Sequence, residues 1–413
     1  MNINKHREAL MNIFNMMHSR VLNLFLCASF LLNFGSVLPI HSVVPDYTSA
    51  FTASMVAGGV GDALGRVTEF KSTEDFFKHY SHGVRSYGDF LPQDWVYVPD
   101  QLKNKKIAPY TDDTAMAKLV MKELIESREH DWDLNTTMSN IAQSFIKDAE
   151  DLQLGWIARF RAPGNACKAG VKKLRSNFLM DWDYKKHGSL GYTGPRPWDV
   201  LAHTAGGCGS VMRAHPFGLV FADNPEKAAL WAAEHSRLTH GDPLALAACA
   251  AMATGVAYAV QGKDPDFIVG KMVKVAHQYD AVTANKIEMA YMAAQRAKEL
   301  RKPFNDIFQA YDNAEFRQFN DHVFSTFLGF AAHDAVAATV YAFTLSPDNI
   351  MEAIYLGVHT PGDSDSIASM AGALVGARVG VEQLPKGLVM HLENSAELAF
   401  DAVRAANLFK TAQ

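Results

Sequence analysis

Two short stretches of this chain carry the residue types that chemistry needs. Thr111-Asp112-Asp113-Thr114 and Gly362-Asp363-Ser364-Asp365-Ser366 each place two carboxylates and flanking hydroxyls at the start of a helical segment. Adjacent carboxylates repel one another unless a cation lies between them. Helix capping accounts for part of each motif: Thr111 suits an N-cap, and acids in a first turn suit the helix dipole. Capping does not account for a second carboxylate. Two oxygen-rich clusters about 250 residues apart, each leading an apolar helix, therefore point to one shared site. Carboxylate and hydroxyl oxygens suit a hard cation such as Mg²⁺ or Mn²⁺. With no His or Cys in either cluster, zinc is disfavoured. Four carboxylates suit a pair of ions about 3.5–4 Å apart.

A third stretch is Gly61-Asp62-Ala63-Leu64-Gly65, with Glu69 seven residues after Asp62. A carboxylate among glycines at a helix end is a cap or a site residue. Glu69, just past that end, is placed where a mobile general base can act.

The elements that must hold these groups read as helices. Strand-like alternation is almost absent, whereas helical periodicity marks 49–64, 113–127, 135–149, 225–237, 243–260, 266–300, 322–344, 347–357 and 366–380. Asp242-Pro243 and Ser346-Pro347 each read as a cap followed by a first-turn proline. Residues 244–260 contain no charge, and their alanine richness favours a helix buried on all sides over a membrane span. Gly372, Gly376 and Gly380 recur every four residues and bare one stripe of a helix for close backbone approach; Gly61 and Gly65 repeat the device. Residues 71–110 and 176–200, rich in Gly, Pro, Tyr and Trp, read as long loops walling a site. The expected fold is all-α, a compact bundle of many helices.

Composition agrees with a folded globule: 413 residues, 48% apolar, 20% charged. A net charge of -5, with no basic block outside the N-terminus, argues against nucleic-acid binding. Cys27, Cys167, Cys208 and Cys249 show no zinc or disulfide spacing and read as free thiols. Residues 21–40 form an uncharged apolar run preceded by Lys5, Arg7 and Arg20, the pattern of a secretory signal or membrane anchor. The expected organisation is residues 1–45 as that extension and 46–413 as a catalytic domain. The protein is then exported or membrane-associated, the alternative being cytoplasmic, and a monomer is expected.

Five segments, in order, carry a family resemblance: GDALGRVTEF (61–70), TDDTAMA (111–117), GCGSVMRAHPFGL (207–219), HSRLTH (235–240) and PGDSDSIASMAGALVGARVG (361–380). In these the chain resembles the ADP-ribosylglycohydrolase family from about residue 50 to 390. The resemblance implies an orthogonal helical bundle with a central cleft for two divalent cations, Mg²⁺ or Mn²⁺. It implies metal ligands at Thr111, Asp112, Asp113, Asp363, Asp365 and Ser366. Glu69, Asp62, Asp113 and Asp365 become the catalytic group, with Glu69 as acid/base. Gly207, Gly209 and Ser210, within 207–213, would cradle a diphosphate and ribose. His240 would lie against the nucleotide, and Gly164, Asn165, Gly362 and Ser364 would complete substrate binding. The implied substrate is an ADP-ribosylated protein, with arginine preferred to serine as the linkage. The chain departs from the family pattern at Cys208, where Asn is usual, at Pro361, where Gly is usual, and in KNKKIAPY before the first acidic motif.

Other residues read as structural. His203, His215, His333 and His359 share no ligand spacing. Met289 and Met292 read as core, and 294–302 as a solvated helix face. Two rivals remain: a helical isoprenoid diphosphate enzyme, although Asp112-Asp113 lacks a DDxxD spacing, and a non-catalytic ADP-ribose binder on the same fold.

Overall fold

A first helix, α1 (Tyr47–Gly65), starts where the Asp46 carboxylate accepts the Ser49 N–H at 2.8 Å. Its interior is mainly small residues, and nearly all of it is buried. In the computed structural model, which describes residues 45–80, 83–97, 106–151, 161–187, 198 and 205–410, sixteen further helices follow. They are α2 (Thr73–His79), α3 (Asp112–Glu129), α4 (Leu134–Asp151), α5 (Asn165–His187), α6 (His215–Val220), α7 (Pro225–Ser236), α8 (Pro243–Val260) and α9 (Pro265–Ala276). Then come α10 (Ala281–Arg301), α11 (Ile307–Asp312), α12 (Ala314–Thr326), α13 (Ala332–Leu345), α14 (Ile350–Val358), α15 (Ser364–Val379), α16 (Lys386–His391) and α17 (Ser395–Phe409). Among the described residues the only sheet is a two-residue ladder, Val96–Tyr97 antiparallel to Lys106–Ile107. The protein is all-α. Residues 21–40, Cys27, His203 and the glycine-rich part of 188–200 lie outside the described residues.

The centre of the globule is α1 lying along α15, with α8, α14 and α17 packed around the pair. Glycine makes the contact possible. A Cβ on Gly61 would fall 2.2 Å from the Ala368 carbonyl oxygen, and one on Gly376 would fall 2.6 Å from that of Ala53. Backbone therefore meets backbone, and no other residue fits. The expected stripe ends one residue early, since Gly380 is the C-cap at φ 77 rather than a helical position. The uncharged helix α8 is long and apolar enough to cross a membrane, yet it is buried among its neighbours as a core helix. Asp242 caps it as expected, accepting Leu244 N–H at 3.0 Å.

Several expected boundaries move. The 266–300 helix is two helices, because Asp280 accepts both the N–H and the hydroxyl of Thr283 and starts a new turn. The 322–344 helix is also two, interrupted at Gly329, whose φ of +90 no helix tolerates. Ser346 closes α13 rather than opening α14; its hydroxyl bonds to Glu352, and Asn349 caps α14 by accepting Glu352 N–H at 3.1 Å. Residues 176–187 are helical, since Cys167, Val171, Leu174 and Phe178 form one apolar face of α5. Met289 and Met292 are exposed on α10 rather than in the core. Residues 294–302 hold a mostly solvated face, although Arg301 turns inward to pair with Glu352 at 2.7 Å.

Gly61→Ala should therefore lower stability by about 1–3 kcal/mol or more, as overpacking against unyielding backbone does. Gly270→Ala in α9, where an added Cβ meets nothing within 4 Å, should instead stabilise by about 0.5–1 kcal/mol. Denaturant unfolding of both variants checks the contrast.

Candidate active site

The close pairing of α1 and α15 brings the C-terminal end of one to the N-terminal end of the other. A Cβ on Gly65 would lie 2.5 Å from the Asp365 Cα. Ser364 Oγ donates to the Gly65 carbonyl at 2.9 Å, locking the two ends together. The α1 end carries Asp62 and leads to Glu69; the α15 end carries Asp363 and Asp365. Carboxylate oxygens of Glu69, Asp363 and Asp365 come within 4.8 Å of one another.

The third acidic contributor is placed by Asp62. This fully buried carboxylate accepts Thr111 N–H at 2.8 Å, Thr114 N–H at 3.0 Å and the Thr114 hydroxyl at 2.6 Å. It caps α3 from another helix, satisfying donors at a helix start and fixing where Asp112 and Asp113 point. A buried Arg161–Glu393 ion pair at 2.7 Å supports the approach to α3: Arg161 donates to the Tyr110 carbonyl at 2.6 Å, and the Arg161 carbonyl accepts Asp112 N–H at 2.9 Å. Thr111 caps locally, its Oγ1 receiving Asp113 N–H at 3.4 Å and donating to Asp113 Oδ2 at 3.1 Å.

One cleft collects the chemistry. Its acidic floor is Glu69, Asp112, Asp113, Asp363 and Asp365 with the Ser366 hydroxyl. Its walls include Gly164 and Asn165 at the start of α5, Gly207 and Gly209 around a 3₁₀ turn, and His240. The glycines matter here too: a Cβ on Gly209 would meet Cys167 Sγ at 2.4 Å and the His240 ring at 3.0 Å. His240 is oriented by a 2.7 Å contact between its Nδ1 and Thr239 Oγ1.

Other expected site residues act from behind the cleft rather than lining it. Asp62, Thr111 and Ser364 are consumed by the hydrogen bonds above. Ser210 is buried and receives the Ser236 hydroxyl at 2.9 Å. Gly362 lies under the Leu328 carbonyl, where a Cβ would come to 2.1 Å. Arg213, expected in the cradle, is a buried strut, donating to His235 Nε2 at 2.9 Å and Thr239 Oγ1 at 2.7 Å. The scattered histidines are structural: burial pushes His215 down to about 4 and His359 down to about 3, and His333 pairs with Asp334.

Several lining residues carry no signal in the sequence reading: Phe70, Ala162, Cys167 and Phe330. Phe70 was visible in the GDALGRVTEF segment but carries no motif signal of its own. Cys208, noticed only as a departure, donates its thiol to Asp363 Oδ2 at 2.7 Å. Cys167 and Cys249 are buried free thiols, and Cys208 is a partly buried one.

The floor is electrostatically unfavourable on its own. Burial and then the neighbouring carboxylates push Glu69 up to about 8 and Asp112 up to about 7. The same causes hold Asp113 and Asp365 well above the usual carboxylate range. Asp113 Oδ1 is buried without a hydrogen-bond partner, although buried polar atoms are nearly always paired. A donor set of carboxylates and a hydroxyl, one oxygen of it orphaned, fits a hard divalent cation.

The ADP-ribosylglycohydrolase family model matches residues 44–413, so the chain belongs to that family. It is accordingly an enzyme, a hydrolase of glycosidic bonds in ADP-ribose conjugates, from a family that is generally metal-dependent. Relatives include the ADP-ribosyl-dinitrogen reductase glycohydrolase of Rhodospirillum rubrum, 23% identical and covering 82% of this chain and 88% of the relative. ADP-ribosylhydrolase ARH3 of Xenopus tropicalis is 24% identical, covering 82% and 89%, and that of Homo sapiens is 24% identical, covering 84% and 90%. A solved ADP-ribosylglycohydrolase-related protein complex shares the fold, with a TM-score of 0.58 at 18% identity, covering 88% of this chain and 99% of that one.

The raised values have a consequence for stability. Glu69 and Asp112 hold protons in the folded state that the unfolded chain releases above its ordinary carboxylate values of 4.5 and 3.8. Their contribution is complete below those values and is lost as pH rises through about 7 to 8. In chelator, the melting temperature should fall between pH 5.5 and about pH 8, and the fall should be shallower in Glu69→Gln. A fall of equal size in both proteins would place the titrating group elsewhere.

Proposed function

We propose that this chain removes ADP-ribose from modified protein side chains, arginine being the linkage, by cleaving the C1″ glycosidic bond. The observation that carries this reading is the convergence of four buried acids and the half-buried Glu69 on one cleft, three of the five with oxygens within 4.8 Å. The named functions of the relatives, an ADP-ribosyl glycohydrolase and ADP-ribosylhydrolases, support it.

Asp112, Asp113, Asp363, Asp365 and Ser366 would hold two divalent cations, Mg²⁺ or Mn²⁺, with Thr111 positioning Asp113 from behind the cleft. Bound there, the ions would supply Lewis-acid charge stabilisation next to the sugar. The rest is the work of the chain's own groups. Gly207 and Gly209 would present backbone to the diphosphate and ribose. His240 and the Gly164-Asn165 turn bound the nucleotide end. Half-buried Glu69, relieved of its own proton once positive charge occupies the floor, can take a proton from the attacking water as the C1″–O bond forms. The C1″–N bond breaks, through a transition state of oxocarbenium character, and the proton that Glu69 took from water passes to the departing side-chain nitrogen. Asp62 touches no substrate in this scheme; it positions Asp112 and Asp113.

The same reading assigns residues 21–40 as an export signal or membrane anchor, because the apolar run follows basic residues.

The test is ADP-ribose release from arginine- and serine-linked conjugates, with Mg²⁺, with Mn²⁺ and with chelator. Release from the arginine conjugate that requires metal is expected. Asp365→Ala should abolish it, and Glu69→Gln should lower kcat by about 10²–10⁴-fold. Tight ADP-ribose binding without release from either conjugate would overturn the hydrolase reading in favour of a binding protein.

A further inference from the structure

Two phenylalanines at the mouth of the cleft are neither core nor accounted for by the floor chemistry. Phe70 and Phe330 stack with ring centroids 5.6 Å apart and planes 8° from parallel. Phe70 is 70% exposed and Phe330 44% exposed, unusual for side chains of this kind. Both line the cleft, and Phe70 directly follows Glu69.

Their placement is imposed by special backbone conformations, one costly at Phe70 and one that only glycine adopts freely at Gly329. Phe70 has φ 59, a left-handed conformation that a bulky residue rarely adopts. Gly329, before Phe330, has φ +90, and a Cβ there would come within 2.9 Å of the Asp363 Cβ. Both segments are tied to one turn: Phe70 N–H donates to the Gly362 carbonyl at 3.0 Å, and the Leu328 carbonyl accepts Asp363 N–H at 2.8 Å. The stacked pair is therefore held at a fixed place relative to Asp363 and Glu69. A mere surface contact between two rings needs none of this.

A flat aromatic face suits a planar, weakly hydrated cation. A guanidinium is such a group, and it stacks on aromatic faces. The methylene and oxygen of a serine linkage offer no comparable plane. We propose that the Phe70–Phe330 pair is a stacking platform for the guanidinium of the ADP-ribosylated arginine, making these two residues the determinants of linkage specificity. This rests on the hydrolase reading above and deepens it, naming what lies on the leaving-group side of Glu69.

The experiment compares KM and kcat for an ADP-ribosyl-arginine substrate, and the Kd of free ADP-ribose, in the full chain and in Phe70→Ala, Phe70→Leu and Phe70→Trp. Phe70 is exposed, so these variants keep the core intact. Phe70→Ala and Phe70→Leu should each raise KM about tenfold with kcat nearly unchanged, since the lost contact acts on bound substrate and transition state alike. Phe70→Trp should retain the wild-type KM, and the Kd of ADP-ribose should hold in all three. If KM and the Kd of ADP-ribose rise together, the pair stacks the adenine base and the proposal is wrong. If Phe70→Leu matches wild type, apolar area suffices and the cation has no part, which also overturns it. Failure of the hydrolase reading is separable, because it shows as no release by the wild type. The Kd of the arginine conjugate then decides the platform: binding no tighter than ADP-ribose refutes it, and tighter binding lost in Phe70→Leu sustains it.

Discussion

The structure depends on backbone-to-backbone contact between α1 and α15. Gly61 and Gly65 on one helix and Gly376 on the other remove the side chains that would hold the axes apart. Without that approach the two acidic helix ends would be separated by at least a side chain's width. With it, the Ser364 hydroxyl reaches the Gly65 carbonyl, and Glu69 faces Asp363 and Asp365. The fold thus uses its closest-packed seam, where packed interiors yield least, to fix its most strained electrostatics.

Asp62 extends this order to the third acidic segment. As a buried carboxylate it would be costly without partners. Its three donors from Thr111 and Thr114 meet that need and at the same time cap α3. One side chain therefore fixes the start of α3 relative to α1, while the Arg161–Glu393 pair holds the same start from the other side. Burial of so many acids raises their affinity for protons, and the unpaired Asp113 Oδ1 remains. An acidic floor of this kind is destabilising alone and stabilised by positive charge, which ties the stability of the cleft to what it binds.

Much of this was legible in the sequence because the acidic motifs are local. Thr111 to Thr114 and Asp363 to Ser366 announce oxygen ligands at helix starts, and the glycine spacing announces close packing. What could not be read is non-local. Nothing in Gly61-Asp62-Ala63 shows that its carboxylate spends itself on amides some 50 residues away. Ser210 and Ser364 carry the right chemistry for a site, but their hydroxyls are used by Ser236 and Gly65. The periodicity of 322–344 hid the break at Gly329, and with it the exposed position of Phe330. Similarly, Ser346-Pro347 has the residue types of a helix start, but Asn349 wins the cap because Ser346 is already bonded to Glu352.

Whether the acidic cleft binds divalent cations is decided by calorimetric titration of Mn²⁺ into chelator-treated protein near pH 7, repeated in buffers of different ionisation enthalpy. Saturable binding accompanied by proton release is expected, because Glu69 and Asp112 hold protons there that a cation displaces, with loss of both signals in Asp365→Ala. Binding without proton release, or unchanged binding in Asp365→Ala, would contradict that expectation.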